Sequence, residues 1–283
     1  MKDQQTIVNN ARDYYSRFGT WFGYTLVLGR AQHFGRYNAE HRTEKLAQRN
    51  ALEQFARVLA PRKSDKILDA GCGQGVVAHY LAEHYEAEVT GITVTPHEVD
   101  VATKLARHRS LRGTTQFELG DFEKLRFKDG TFDKVFTYET LAHAQDVERA
   151  AKELFRVLKS GGKAVFVEYE WDYDKFTAEY QKTFDFVCKY WGGFGVRQFG
   201  KGEFAKKLRK AGFVKISELD VTAEVRPSMK RVKKLTAPLR FLVGWNEHLA
   251  KHFANNAGGN FYEDAVALRA FRYKVYVARK EAK

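Results

Sequence analysis

From Lys66 onward, short apolar runs alternate with longer stretches in which apolar side chains recur every three or four positions. Lys66–Ala70, Ala87–Ile92, Thr115–Leu119, Phe132–Tyr138 and Lys163–Glu168 are too short and too uniformly apolar for helices and read as buried strands. Val76–His84, Pro96–Arg107 and Asp146–Leu158 carry the helical period between them. Pro96 stands where a helix tolerates proline, at its first turn. Ser160-Gly161-Gly162 is expected to stop the third helix. Strand–helix alternation of this kind predicts a parallel sheet covered on both faces.

The flanks differ. Residues 1–60 read as helical and aromatic, with Tyr14, Tyr15, Phe18, Trp21, Phe22 and Tyr24 close together. A helix over Glu44–Leu59 ends before Pro61, as proline requires. Beyond Trp171 the pattern loosens. Asp172–Trp191 reads as a polar–aromatic helix, Phe204–Ala211 as a helix closed by Gly212, Val214–Val221 as a strand, and Met229–Asn255 as a mostly basic helical stretch. Tyr273–Ala278 alternates like a closing strand. The expected organisation is one structural domain: an N-terminal helical cap segment over 1–60, a core over 61–171, and a C-terminal part over 172–283. That last part adds cap helices and the final strands.

Composition narrows the class. A chain of 283 residues can bury a full α/β core. The polar start, Met1 to Asn10, does not read as a secretory signal, and no apolar run nears the ~20 residues that span a bilayer. Two cysteines supply neither a disulfide framework nor a metal set, so a cytoplasmic protein without a metal is expected. Cys72 and Cys188 read as small packing residues. The net charge of +13 is uneven: Arg197 to Arg240 holds 13 Lys/Arg against 4 Asp/Glu, an excess of nine. That excess suits a solvated face, an anionic ligand or peripheral contact with an anionic membrane surface. No zinc-ligand set, RNA-binding signature or helix-turn-helix pattern supports a nucleic-acid partner.

The most informative stretch is Asp69-Ala70-Gly71-Cys72-Gly73-Gln74-Gly75, directly after the first strand. Glycines at alternate positions allow a sharp strand-to-helix turn and let a ligand lie against bare backbone. The spacing is not that of a dinucleotide loop, and the Lys and Ser/Thr of a phosphate loop are missing. D-x-G-x-G-x-G resembles motif I of class I S-adenosyl-L-methionine (SAM) methyltransferases. That resemblance implies a Rossmann-like fold: a mostly parallel seven-stranded sheet with helices on both faces and a helical cap. It implies SAM as cofactor and S-adenosyl-L-homocysteine as product. It also implies cofactor contacts at Asp69, Gly71, Cys72, Gly73, Gln74, Gly75, Ile92, Thr93, Asp121, Phe122 and Tyr15. Thr93 departs from the family, which often places a ribose-binding acid there.

After the fourth strand comes Tyr138-Glu139-Thr140-Leu141-Ala142-His143-Ala144-Gln145-Asp146. Glu139, His143, Ala144 and Asp146 match the E-A-T-C-H-A-P-D motif of sterol C-24 methyltransferases. Tyr169-Glu170-Trp171 is similar to that family's Y-E-W, His33-Phe34 to its H-F, and Val277-Ala278-Arg279-Lys280 to its closing V-A-R-K. The departures are Val76-Val77 in place of Gly-Pro, Thr140-Leu141-Ala142 in place of A-T-C, and Gln145 in place of proline.

The resemblance implies methylation at carbon of an electron-rich alkene in a sterol- or terpenoid-like, or other natural-product, small molecule. Such a reaction passes through a carbocation, which aromatic faces and a buried carboxylate stabilise. Glu139 is the candidate stabiliser, and His143 and Tyr138 are the candidate bases. Tyr24, His33, Phe34, Trp171 and Phe194 are expected to wall an apolar substrate pocket, with Trp171 and Phe194 outside the sheet. Two other functions remain in view: O- or N-methylation of an aromatic or alkaloid natural product, and a SAM-binding partner protein without catalysis. A homo-oligomer is compatible with the sequence.

Overall fold

The computed structural model describes residues 33–191, 193, 195–243 and 261–282. In chain order they form α1 (Glu44–Leu59), β1 (Lys66–Ala70), α2 (Val76–Tyr85), β2 (Glu88–Thr93), α3 (Pro96–Arg107), β3 (Thr114–Leu119), β4 (Phe132–Tyr138), α4 (Val147–Val157) and β5 (Leu158–Trp171). Then follow α5 (Ala178–Trp191), α6 (Glu203–Lys210), β6 (Val214–Asp220), α7 (Thr222–Val243), α8 (Phe261–Ala267) and β7 (Phe271–Arg279). The seven strands make one sheet in the order β3-β2-β1-β4-β5-β7-β6. β1 to β5 pair in parallel, and β7 inserts antiparallel between β5 and β6. This is the Rossmann-like architecture expected from the sequence.

Local chemistry sets the boundaries. Thr43 caps α1 by accepting from the Leu46 amide, and Ala60 turns left-handed at its end, one residue before Pro61. Asp146 caps α4 by accepting from the Arg149 amide at 3.0 Å. The Ala47, Ala51, Phe55 and Leu59 side of α1 is buried, and the Phe55 ring meets Phe136 and Tyr138 of β4. The described part of the N-terminal segment therefore covers the sheet.

Three expectations are corrected. Ser160-Gly161-Gly162 does not end a helix in a loop: α4 stops at Val157 and these residues begin β5, where a register shift against β4 takes up the irregularity. β5 runs on to Trp171, so Trp171 is a sheet residue. It is fully buried among Phe176, Phe184, Phe261 and Phe271, and truncating such a ring costs about 3–5 kcal/mol. The basic helix begins at Thr222, seven residues before the expected Met229, and α8 is an element that the sequence pattern does not reveal.

The sheet order has one functional consequence. β1 is flanked by β2 on one side and β4 on the other, so chain direction reverses around it and a crevice opens at its carboxyl end. The loops after β1 and β4 face each other across that crevice. Among the described residues no helix is long and apolar enough to cross a membrane.

Candidate active site

The Asp69–Gly75 loop is pinned from below. The Gly71 and Cys72 amides both donate to the Ile92 carbonyl at 2.9 Å, which ties the loop to the end of β2. His79 braces it from α2: its Nδ1 lies 2.8 Å from the Gly75 carbonyl oxygen, its Nε2 lies 3.0 Å from that of Ala102, and its ring stacks on Phe117. Burial lowers the His79 pKa to about 4. Gly71 and Gly75 have φ of +97° and +76°. A Cβ on Gly71 would lie 2.0 Å from Thr140 Cγ2, and one on Gly75 would lie 2.6 Å from the Phe117 ring. Both positions therefore need glycine for conformation and for space.

SAM fits this loop on two observations. Asp69 is almost fully buried, yet its Oδ2 has no hydrogen-bond partner, and burial holds its carboxyl well above the usual range. A buried orphan acceptor of this kind calls for a cationic donor, and the amino group of the cofactor supplies one. The second observation lies after β2. Thr93 donates to Glu98 Oε2 at 2.6 Å, and the Thr95 hydroxyl oxygen is buried without a partner. The acid missing from the strand end is thus delivered from the first turn of α3, where Glu98 is buried and its carboxyl is pushed up by burial. Thr93, Thr95 and Glu98 would hold the ribose hydroxyls. The Cys72 thiol is buried beside Asp69 and pushed up, which makes it an inert wall. At the adenine end, Asp121 Oδ1 accepts from the Glu123 amide at 2.8 Å, so the residue also holds its own turn, and Phe122 packs on the core beside it. Gln74 is buried in the loop.

The loop after β4 presents Glu139 in a cage of donors. Tyr273 donates to Oε1 at 2.5 Å, Tyr169 donates to Oε2 at 2.7 Å, and the Phe34 amide donates to Oε1 at 3.3 Å. Tyr169 and Tyr273 are direct partners in the β5–β7 register, so one pair of strands aims both hydroxyls at one carboxylate. Burial pushes the Glu139 carboxyl up, while the three donors pull it down. Burial and the neighbouring carboxylate push both phenols far up, which keeps them protonated as donors. Glu139 has φ of +55°, an uncommon conformation for a residue with a side chain, and the closing contacts hold it there.

Glu168 holds the same loop from below. Its Oε1 accepts from the Thr137 hydroxyl at 3.0 Å, the Thr140 amide at 3.2 Å and the Leu141 amide at 3.0 Å. Its Oε2 is buried without a partner, and desolvation raises the carboxyl to about 8. Thr140 in turn donates across the crevice toward the Gly71 carbonyl at 3.2 Å. The loops that carry the cofactor motif and Glu139 are thereby joined.

The structure brings His33, Phe34, Tyr138 and Glu139 together. The His33 ring stacks on Tyr138 with centroids 4.1 Å apart, and Phe34 meets Tyr262 and Tyr273 edge-on. Tyr138 departs from the base role expected for it. Burial and the neighbouring Glu139 push its phenol up, and its ring is packed between His33 and Phe55. His143 is buried in a short turn, Leu141–His143, whose amides close onto Thr140 and Leu141. Trp171 reaches the cage only through Tyr169 and Tyr262. Tyr15, Tyr24 and Phe194 lie outside the described residues. Sequence reasoning missed Tyr169, Tyr273, Glu98 and Glu168. The Tyr169-Glu170-Trp171 match pointed at the right strand, and only the register against β7 selects its tyrosine. No group of three or more His, Cys, Asp or Glu that could hold a metal ion occurs among the described residues.

A methyltransferase-domain family matches residues 68–166. An S-adenosyl-L-methionine-dependent Diels-Alderase of Talaromyces variabilis is 31% identical over 282 residues, covering 95% of this chain and 94% of that protein. A sterol 24-C-methyltransferase of Aspergillus fumigatus is 38% identical over 117 residues, 41% of this chain and 30% of that enzyme. In fold, the cyclopropane synthase MmaA2 of Mycobacterium tuberculosis superposes with a TM-score of 0.79 at 13% identity, covering 96% of this chain and 98% of that one.

Proposed function

Since the chain belongs to the class I SAM-dependent methyltransferases of the sterol-methyltransferase type, we propose that it methylates carbon on an electron-rich double bond of a hydrophobic, sterol- or terpenoid-like small molecule. The observation that carries this reading is Glu139, a buried carboxylate held by two tyrosine hydroxyls and a backbone amide within an aromatic wall. When bound, the cofactor supplies an electrophilic methyl group. Glu139 then faces the positive charge that develops on the acceptor. Its field acts in a site of low dielectric, and its orientation is set before the reaction begins. Tyr138, Tyr169, Tyr262, Tyr273 and Phe34 add ring faces, each contributing about 0.5–2 kcal/mol toward a cation. Their packing also excludes water, which would quench one.

The test is incubation with methyl-trideuterated SAM and a panel of squalene, a Δ24 sterol and geranyl diphosphate, read by mass spectrometry. Deuterium on carbon supports the proposal. Deuterium on oxygen or nitrogen, from a phenol or alkaloid in the same panel, transfers it to the O- or N-methylation alternative.

A second reading is favoured by the full-length likeness to a Diels-Alderase. In that case bound SAM and the same aromatic wall would orient a polyene for cycloaddition without methyl transfer. A product isomeric with its substrate, formed without release of S-adenosyl-L-homocysteine, selects this reading. The basic helix bears on how a hydrophobic acceptor arrives. Arg226 and Lys233 are paired with Glu263 and Asp264, while Lys230, Lys234 and Leu235 face outward, as peripheral contact with an anionic bilayer would require.

A further inference from the structure

The reaction proposed above leaves a proton to be removed, and the cage around Glu139 contains no obvious acceptor for it. Both Glu139 oxygens already accept hydrogen bonds, and protonating either would displace a donor. The Tyr138, Tyr169 and Tyr273 phenols are held in their neutral form. Arg36 is always cationic and is tied to Glu224 at 2.7 Å. One group in this corner does have a free lone pair. Two consecutive residues, His33 and Phe34, lie against two consecutive residues, Tyr138 and Glu139: ring stacks on ring, and amide bonds to carboxylate. His33 Nδ1 is buried in that arrangement without a hydrogen-bond partner. A buried polar nitrogen left unpaired in a packed site needs a reason, and a transient proton is one.

We propose that His33 is the proton acceptor of the reaction, taking the proton through Nδ1 from the carbon next to the cationic centre. This rests on the alkene-methylation reading. The alkene π pair forms the new carbon–methyl bond while the carbon–sulfur bond breaks with its electrons onto sulfur, leaving a neutral thioether and a carbocation. The Nδ1 lone pair then takes the proton from the adjacent C–H, and that bond's electrons become the new double bond. The imidazolium so formed stacks on Tyr138 close to the Glu139 carboxylate, which favours the positive ring until the proton passes to water on product release. Burial lowers the His33 pKa to about 3, so the ring stays neutral across the working pH range. A base that weak suffices, since a C–H beside a carbocation is far more acidic than an imidazolium.

His33→Phe keeps the stacked ring and removes the lone pair; His33→Asn keeps polarity without the ring. Thermal melting and calorimetric SAM affinity check that each variant is folded and loaded. Both are then assayed with labelled SAM on the same alkene panel. In each folded variant the wild-type alkene should fall at least about tenfold as a share of methylated products, replaced by water-quenched alcohols and isomeric alkenes. SAM affinity should stay within about twofold of wild type, a split that a merely structural role does not produce. Wild-type kcat should be flat from about pH 5 to pH 8, with 15N resonances showing Nδ1 unprotonated throughout. A folded His33→Phe enzyme that gives the wild-type product at the wild-type rate overturns the assignment, as does a protonated Nδ1. A wild-type enzyme that methylates no alkene of the panel fails at the earlier step and removes the alkene reading and this one together.

Discussion

The Tyr273 hydroxyl lies 2.5 Å from Glu139 Oε1, although the two residues are 134 positions apart and belong to the last strand and to the loop after the fourth. The contact exists because β7 inserts beside β5 and sets Tyr273 opposite Tyr169. Closing the sheet therefore also completes the charged centre of the site. Tyr273→Phe removes the donor and keeps the ring. We expect kcat to fall about tenfold to hundredfold, the effect of losing a hydrogen bond of roughly 1.5–3 kcal/mol to a charged group, with SAM affinity nearly unchanged. Steady-state kinetics and calorimetry check both; an unchanged kcat would show that the cage does not tune Glu139.

Gly71→Ala tests the meeting of the two loops. The added Cβ would lie 2.0 Å from Thr140 Cγ2, at a φ of +97°. SAM affinity should drop by at least tenfold, an overpacking cost of about 1–3 kcal/mol. Adding Thr140→Ala removes the clashing methyl and should recover part of that loss. Full affinity in the single variant would mean that the loops can move apart freely.

Glu168 predicts a pH signature in stability. Its carboxyl is raised to about 8 in the folded protein and returns toward 4.5 in the unfolded chain. Between those values the folded state holds a proton that the unfolded state has released, so stability falls as pH rises through this window. The full contribution is present only below the unfolded value. Glu168→Gln keeps an acceptor for the Thr137, Thr140 and Leu141 donors and does not titrate. Its stability relative to wild type should rise between pH 5 and pH 8 by up to about 4 kcal/mol. Denaturant melts at the two pH values measure this, and parallel profiles would show that Glu168 is already ionised in the folded state.

The outward face of α7 predicts a salt effect. Binding to vesicles containing anionic lipid should weaken as salt rises from low to physiological, and Lys230→Glu with Lys234→Glu should abolish it. Salt-independent behaviour, with no vesicle binding, would reduce the basic stretch to a solvated face.

Much of the fold was legible because period and punctuation are local properties. Alternating apolar runs, Pro96 and Pro61 marked the strands and helices from Lys66 to Arg107 closely. β5 was less legible because Ser160-Gly161-Gly162 carries the signature of a helix stop, and only pairing with β4 draws it into the sheet. In the site, the motif residues Asp69, Gly71, Gly75 and Glu139 stood out as sequence. Their partners did not. Glu98 substitutes for a strand-end acid from five residues beyond Thr93, across the turn into α3. Tyr169 and Tyr273 look like ordinary alternating strand residues until the register sets them face to face. Long-range pairing of this kind leaves no local trace.

The central claim is that the Glu139 carboxylate stabilises a cation formed during methyl transfer. Glu139→Gln retains the shape and removes the charge, so kcat and the SAM dissociation constant measured together on this variant test the claim most directly. The account predicts a kcat lowered by roughly 10²-fold or more, with SAM affinity close to wild type. A Glu139→Gln enzyme with wild-type kcat, or one whose defect is confined to SAM binding and vanishes at saturation, would contradict it.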